Sequence, residues 1–183
     1  MAIAWNHELL DQLDFAWNHQ FLPRMEGLTD EEYFWEPVDN CWTVFRDDND
    51  LWRVSWEEPE PDPPPFTTIA WRLMHIAIPI FGERASNHFG DGTVSLESVT
   101  IPGTAAEAMS LLTEQYQHWR AGVEALGDSG LERPCGPAEG AFAEYPFAML
   151  VLHINREFLH HAAEIALLRD LYRYTSGSPM PPR

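Results

Sequence analysis

The sequence contains no lysine, and its eleven basic residues, all arginines, face 29 acidic ones. The lack of lysine excludes chemistry that needs a lysine amine, such as Schiff-base catalysis or phosphate binding by a P-loop lysine. The formal net charge of −18 leaves too few cations to displace counterions from a nucleic acid or to hold the chain on an anionic membrane surface. We therefore expect neither a nucleic acid nor a membrane among the partners of this protein.

Cysteine is scarce as well, since only Cys41 and Cys135 occur in 183 residues. Two thiols do not make a disulfide framework, they lack the spacing of metal ligands, and no histidine in a defined relation to either supports a nucleophile. No apolar run reaches the length of a membrane span, and Asn6, His7 and Glu8 do not fit a signal peptide. We expect a cytoplasmic protein, and the 45% of hydrophobic residues is typical of a globular one.

Four long segments carry apolar residues at helical spacing. They cover about residues 3–25, 67–89, 104–127 and 146–174. Four amphipathic helices in one chain predict an all-α fold, a four-helix bundle. We expect a single domain over residues 1–175, followed by a flexible C-terminal tail over residues 176–183.

The connection between the first two predicted helices contains five prolines between residues 57 and 65. Proline restricts the backbone to extended conformations and removes a hydrogen-bond donor, so this stretch is predicted to be a loop. Trp52 and Trp56 precede it, and such large apolar side chains favour an ordered loop that packs on the bundle. Residues 51–56 fit either a short strand or an ordered loop.

The last predicted helix holds a carboxylate and an imidazole one turn apart. Its core stripe consists of Phe147, Val151, Ile154, Phe158, Ile165 and Leu168. At about 100° per residue, His161 falls within this stripe and Glu157 at its edge, while His153 and His160 lie toward the flank. A carboxylate that faces a core is unfavourable unless it is paired or bound to a metal. Glu157 and His161 can converge on one point, and both are ligand types that suit Zn²⁺ or a similar divalent ion.

The second predicted helix supplies a third ligand candidate. One of its faces consists of Trp71, Met74, His75, Ile78 and Gly82. His75 is the ionisable residue of this face. Pro79 lacks the N–H that would bond to the carbonyl of His75, so the helix should kink or admit water at this turn. Trp71, one turn before His75, is a candidate for lining a cofactor pocket.

The same residues are also compatible with a site that holds no metal. A histidine in a core is most often hydrogen-bonded to its neighbours, so His75, Glu157 and His161 could instead form a buried polar network. His160 could support the ligands from outside, and Glu164 could either pair with an arginine or orient a ligand histidine. The remaining histidines, interpreted as solvated or capping residues, are His7, His19, His88 and His118.

Three stretches resemble the DinB-like superfamily of helical bundles, which includes mycothiol-dependent maleylpyruvate isomerases and bacillithiol transferases. They are residues 27–37 after the first helix, 68–76 around the histidine of the second helix, and 157–165 on the last helix. Many members carry one histidine on the second helix and two on the last, and mycothiol-type members have Glu at the first of those two positions, as here. The resemblance thus implies His75, Glu157 and His161 as ligands of zinc, nickel or another divalent metal, with water in the open position. Glu164 stands where members often have glutamine.

The resemblance also implies a function. An open metal position could hold a thiol as its thiolate, and the thiol would be an external one such as mycothiol, because neither cysteine is placed to serve. Attack of the thiolate on a small electrophile would give a thiol S-transferase or a cis–trans isomerase. The alternative is a non-catalytic DinB-like bundle that binds a partner and keeps a vestigial or structural metal or polar site. Members often form dimers, so a homodimer is a further expectation.

Overall fold

Helices dominate the fold, as the sequence predicts. The computed structural model describes residues 3–176, so residues 177–183 of the predicted tail lie outside the described residues. The α-helices of the described chain are α1 (Trp5–Phe15), α2 (Leu22–Met25), α3 (Asp30–Tyr33), α4 (Ile69–His75), α5 (Glu83–Phe89), α6 (Ala105–Gly130) and α7 (Phe147–Thr175). The strands β1 (Val44–Arg46) and β2 (Trp52–Val54) pair as an antiparallel hairpin, and Pro137–Phe142 forms a 3₁₀ segment. None of the helices between residues 3 and 176 has the length and apolar character needed to cross a membrane.

Two π-helical segments join neighbouring α-helices into longer ones. Ala16–Phe21 connects α1 to α2, and Ile76–Gly82 connects α4 to α5. We call residues 5–25 the first long helix and residues 69–89 the second long helix. These two pack with α6 and α7 around one core, in the order of elements that the periodicity predicts.

The helix ends follow the capping residues of the sequence. The hydroxyl of Thr68 accepts a hydrogen bond from the backbone N–H of Trp71 at 3.2 Å and begins the second long helix. Thr104 accepts from the N–H of Glu107 at 3.3 Å, and the Glu107 carboxylate accepts from the Thr104 hydroxyl at 3.0 Å and from the N–H of Gly103 at 3.2 Å, which is a variant of the capping box. Pro146 is the N-cap of α7, so the helix begins at Phe147, one residue later than the start of the predicted segment.

Pro79 produces the irregularity that the sequence predicts for the second long helix. Its ring nitrogen cannot bond to the carbonyl of His75, so the regular i to i−4 ladder is interrupted there. In the structure, the backbone widens into the π segment Ile76–Gly82, which starts directly after His75 and contains Pro79. The histidine is therefore the last residue of a regular helix, at a point where the backbone changes its winding.

The core is rich in aromatic side chains contributed by all four long helices. Phe158 of α7 lies at its centre, with its ring centroid 5.6 Å from Trp17, 5.5 Å from Phe21 and 5.6 Å from Phe81. Tyr116 of α6 stacks on Trp17 at 3.9 Å. The second long helix is buried along most of its circumference, and the predicted core stripe of α7 is buried in full. This packing fixes the position of the second long helix relative to α7. It therefore also determines which residues of the two helices face each other.

The connection between the first and second long helices folds onto the bundle, as predicted. The N–H of Trp42 donates to the carbonyl of Phe66 at 2.8 Å, and the N–H of Thr68 donates to the carbonyl of Trp42 at 3.0 Å. The indole N–H of Trp71 donates to the carbonyl of Ser55 at 2.8 Å. These bonds hold the hairpin and the Pro-rich loop over the start of the second long helix.

A buried ion pair ties the end of α7 to the first part of the chain. The guanidinium of Arg169 donates to both carboxylate oxygens of Glu32, at 2.7 and 2.9 Å, and the two side chains are only 1% and 4% exposed. Arg169 also donates to the carbonyl oxygens of Arg24 and Glu26 at the end of the first long helix. The pair thus connects three elements in a place where water does not screen it.

Candidate metal centre

Three of the residues singled out in the sequence meet between the second long helix and α7. One ligand atom each from His75, Glu157 and His161 lies within 4.8 Å of the other two. Nε2 of His161 is 3.8 Å from Oε2 of Glu157, and the two imidazole rings approach edge to face with centroids 4.7 Å apart. In a tetrahedral zinc site with bonds of about 2.0 Å, neighbouring ligand atoms lie about 3.3 Å apart, so a small movement of the side chains would suffice. We call these three residues the triad.

Burial keeps both imidazoles of the triad neutral. Loss of hydration lowers the pKa of His75 to about 4, a shift that the nearby Glu157 opposes. It lowers the pKa of His161 to about 3, with further contributions from His75 and Arg72. Both rings therefore carry a free lone pair near pH 7, which is the state that a metal ligand needs. The side chain of Glu157 is 24% exposed, so the centre opens to solvent on the side of this carboxylate.

Glu164 fixes the orientation of His161. Its Oε2 lies 2.7 Å from Nδ1 of the ring, and a carboxylate only accepts, so Nδ1 carries the proton. Arg72 lies 3.4 Å from the same Nδ1 and donates to Oε2 of Glu164. The shorter contact with the carboxylate decides the tautomer, which leaves the Nε2 lone pair facing Glu157. Both sequence interpretations of Glu164 are therefore realised together, since it pairs with an arginine and also orients a histidine.

A wall of tryptophans supports His75 from the other side. The ring of Trp71 stacks on the imidazole at 5.0 Å with an angle of 8°, and Trp56 follows at 6.2 Å and 21°. Trp71 is 9% exposed, whereas Trp56, next to the Pro-rich loop, is 46% exposed. Trp71 thus packs behind the histidine, and its predicted role in cofactor binding stays a prediction. The sequence did not single out Trp56 as part of this wall.

The donor set and its surroundings fit a divalent cation. Two neutral imidazoles and one carboxylate are ligands that zinc and similar ions accept. The Nε2 lone pair of His161 faces a carboxylate oxygen, and two electron-rich atoms in this arrangement repel each other unless a cation or a proton lies between them. Nδ1 of His75 is buried and has no hydrogen-bond partner among the described residues. A self-contained polar network would be expected to satisfy this atom.

A second group of ligand types overlaps the first. His160, His161 and Glu164 also bring one ligand atom each within 4.8 Å of one another. The side chain of His160 is 62% exposed, however, and Arg72 neutralises the charge of Glu164. Arg72 bonds closely to the carboxylate of Glu164 and repels a cation there, whereas Arg156 stays 3.4 Å from Oε1 of Glu157, so the triad is the better candidate for a metal site.

His88 corrects the sequence analysis, which interpreted it as solvated or capping. Its side chain is only 5% exposed, and Nε2 lies 2.9 Å from Oε1 of Glu139. Arg84 approaches the same oxygen at 3.4 Å. His88 and Arg84 share one face of α5, but Glu139 belongs to a Gly- and Pro-containing loop whose fold follows no periodic pattern, so no signal in the sequence indicated this contact. His7, His19 and His118 are exposed, as predicted.

The two thiols lie outside both groups of ligand types. Cys41 and Cys135 are buried, and burial raises the pKa of each. A thiol that stays protonated is a poor nucleophile. The sequence-based expectation that neither cysteine serves the site agrees with these positions.

Comparison with known proteins identifies the family. The family model of the DinB superfamily matches residues 12–165, which include all three residues of the triad. This match confirms the resemblance found in the sequence. No curated protein and no solved structure matches the chain significantly.

Proposed function

The chain belongs to the DinB superfamily, and we propose that its triad binds a divalent metal ion, zinc or a relative such as nickel, in the service of thiol chemistry. One observation carries the proposal, namely the convergence of His75, Glu157 and His161 with His161 held in the tautomer that presents Nε2 to Glu157. DinB superfamily members often bind a divalent metal. Three protein ligands leave a coordination position open, as in catalytic rather than structural zinc sites.

When bound, the ion would lower the pKa of an incoming thiol and stabilise the thiolate. The protein side chains prepare this event. Burial keeps His75 and His161 neutral, Glu164 holds the single proton of His161 on Nδ1, and Arg72 balances the charge of Glu164. The exposed side of Glu157 leaves room for the reactants.

The thiol would come from a small molecule such as mycothiol, because Cys41 and Cys135 are buried and lie outside the triad. In S-transfer, the thiolate sulfur forms a bond to an electrophilic carbon, and the leaving group departs with the electron pair of the bond that breaks. In isomerisation, the thiolate adds to an activated alkene, the new single bond rotates, and elimination of the same thiolate restores the double bond. No external oxidant is needed in either reaction.

Metal content is the first test of the proposal. We expect about one equivalent of divalent metal in the purified protein by elemental analysis, and its loss in His75→Ala, Glu157→Gln and His161→Ala. The matched control is His160→Ala, an exposed histidine next to His161 in the alternative group of ligand types, and it should retain the metal. Protein without stoichiometric metal, or unchanged metal content in His161→Ala, would refute the metal site.

Thiol consumption is the second test. The metal-loaded protein should accelerate conjugation of a low-molecular-weight thiol to a panel of small electrophiles, and His161→Ala should abolish the acceleration. A protein that holds the metal but consumes no thiol with any member of the panel would favour the alternative, a non-catalytic binding bundle. In that case, removal of the metal would affect stability without affecting any turnover.

A further inference from the structure

A cavity of about 500 Å³ lies beside the metal centre, between α5, the 3₁₀ segment and the first turns of α7. Its polar lining comes from Arg84, Glu139, His153 and Arg156. Apolar side chains complete the wall, among them Phe142 and Leu152, which are 55% and 56% exposed. The volume is within the range of about 300–1,000 Å³ that is usual for small-molecule sites.

Two residues of the cavity wall, His153 and Arg156, contact Glu157 of the triad. Nδ1 of His153 lies 3.5 Å from Oε1 of Glu157, and a guanidinium nitrogen of Arg156 lies 3.4 Å from the same oxygen. His153, Glu157 and His161 follow one another at intervals of four residues, so they form one line along α7 with a rise of about 6 Å per step. Glu157 therefore lies directly next to the cavity wall, one helical turn beyond His153.

Two arginines of the lining, Arg84 and Arg156, make this cavity suitable for binding an anion. Glu139 is shared between His88 and Arg84, and Nε of Arg84 is buried without a hydrogen-bond partner among the described residues. Arg156 is 68% exposed, and its neighbours are His153 at 2.5 Å and Glu157. Arg156 donates from Nε and Nη2 to a single oxygen of Glu157 at 3.4 Å, and Arg84 approaches a single oxygen of Glu139, so neither guanidinium has the geometry in which two nitrogens pair with both oxygens of a carboxylate. Such a geometry with a ligand carboxylate would add charge-assisted hydrogen bonds to both.

We propose that this cavity binds the carboxylate of a small amphipathic acid, with the carboxylate at Arg84 and Arg156 and the apolar part against Phe142 and Leu152. The reactive end of the molecule then points along α7 toward Glu157. The position of the reactive end rests on the proposed thiol chemistry, whereas the binding of the acid does not. The carboxylate belongs either to the electrophile or to the thiol, and kinetics with acidic and neutral reactants separate the two.

Binding of a matched pair of probes tests the proposal. We expect 4-phenylbutyrate to bind the wild-type protein at least tenfold more tightly than 4-phenylbutanamide by calorimetry, with and without metal. Arg156→Gln and Arg84→Gln should each weaken the acid about tenfold or more and leave the amide unchanged. Phe142→Ala, a change at an exposed residue, should weaken both probes alike. The control is Arg24→Gln, since Arg24 pairs with Asp170 at the other end of α7.

Equal binding of the acid and the amide, or equal behaviour of Arg156→Gln and Arg24→Gln, would overturn the proposal. If the purified protein holds no stoichiometric metal but still binds the acid more tightly than the amide, the proposed function is refuted and the cavity remains an acid-binding site. A metal-loaded protein that does not distinguish the probes would refute the cavity proposal alone. Thiol conjugation then identifies the source of the carboxylate. Mercaptosuccinate is paired with a neutral electrophile, and 2-mercaptoethanol with an acidic one. Arg156→Gln should raise the KM of the acidic component in one of the two pairs, and an unchanged KM in both would contradict the orientation toward Glu157.

Discussion

Replacement of Glu164 by alanine should weaken metal binding although Glu164 is not a ligand of the proposed site. The change removes the acceptor that lies 2.7 Å from Nδ1 of His161 and so frees the imidazole to place its proton on either nitrogen. It also leaves Arg72, whose side chain is 11% exposed, without its carboxylate and 3.4 Å from the ligand ring. Both effects act against a cation at the triad, the first through the tautomer and the second through charge.

The expected loss is about 10- to 100-fold in metal affinity, which corresponds to about 1.4–2.7 kcal/mol. Glu164→Gln should lose less metal affinity than Glu164→Ala, because the amide oxygen still accepts the hydrogen bond from Nδ1–H. It should still bind the metal more weakly than the wild type, because the charge that balances Arg72 is gone. In the double variant Glu164→Ala/Arg72→Leu, the unpaired cation is removed, so part of the affinity should return. The difference between the double variant and Glu164→Ala measures the share that is due to Arg72.

A competition titration against a chromophoric zinc indicator at constant pH gives these affinities directly. Asp170→Ala is the matched control, because Asp170 is also an acidic residue of α7 that pairs with an arginine, Arg24, but far from the triad. An affinity of Glu164→Ala within twofold of the wild type would refute the reasoning. So would an equal loss in Asp170→Ala, which would point to a general effect on the helix.

Three further outcomes follow from the same structure. Chelation of a metal held at a free concentration of about a thousand times its Kd should remove about 4 kcal/mol of stability and lower Tm by about 8–16 °C in differential scanning calorimetry, and an unchanged Tm would speak against a metal in the folded core. The metal-free protein should lose stability toward urea as the pH falls from about 6.5 to 4, by up to about 2.7 kcal/mol per pH unit, because His75 and His161 stay neutral in the folded state and take up protons on unfolding. His161→Gln should halve the slope of stability against pH, and a slope equal to that of the wild type would contradict this origin. Arg169→Met should lower the free energy of unfolding in urea by about 3–5 kcal/mol, because it leaves Glu32 charged and buried. The double variant Arg169→Met/Glu32→Leu should recover most of this loss, and equal instability of the single and double variants would contradict this reason.

Local rules in the sequence predicted the elements that depend on near neighbours. Thr68 and Thr104 begin helices because their hydroxyls accept from an N–H three residues on, and this needs no knowledge of the rest of the fold. Pro79 predicted a disturbance at the carbonyl of His75 for the same reason, although the π-helical form of that disturbance depends on the packing around it. Gly127 was expected to end the third helix, and its φ of +60° does interrupt the helical backbone, although α6 continues beyond this break to Gly130.

Such local rules could not predict contacts between segments that are distant in the sequence. His88 and Glu139 are 51 residues apart, and Arg169 and Glu32 are 137 apart, so no spacing in the sequence relates either pair. Helical periodicity placed Glu157 and His161 on adjacent turns of one helix, but it could not bring His75 to them. The face of the second helix made His75 a candidate for the third ligand, and the family resemblance joined it to the other two. The packing of the second long helix on α7 brings the three together. The sequence predicted one of the two residues that contact Nδ1 of His161, because Glu164 was considered as an orienting group. It did not predict Arg72.

The arrangement of protons at the triad distinguishes a metal site from a polar network. Glu164 accepts a hydrogen bond from the one N–H of neutral His161, so Nε2 can only accept, and it faces Glu157, which can only accept as well. A polar network would need a donor between them, but protonation of either imidazole is opposed by burial and by Arg72 nearby. A divalent cation satisfies both acceptors at once without adding a proton, and the neutral His75 ring at the same point offers a third lone pair. The side chains that surround the triad thus favour the one kind of occupant that accepts electron pairs from all three.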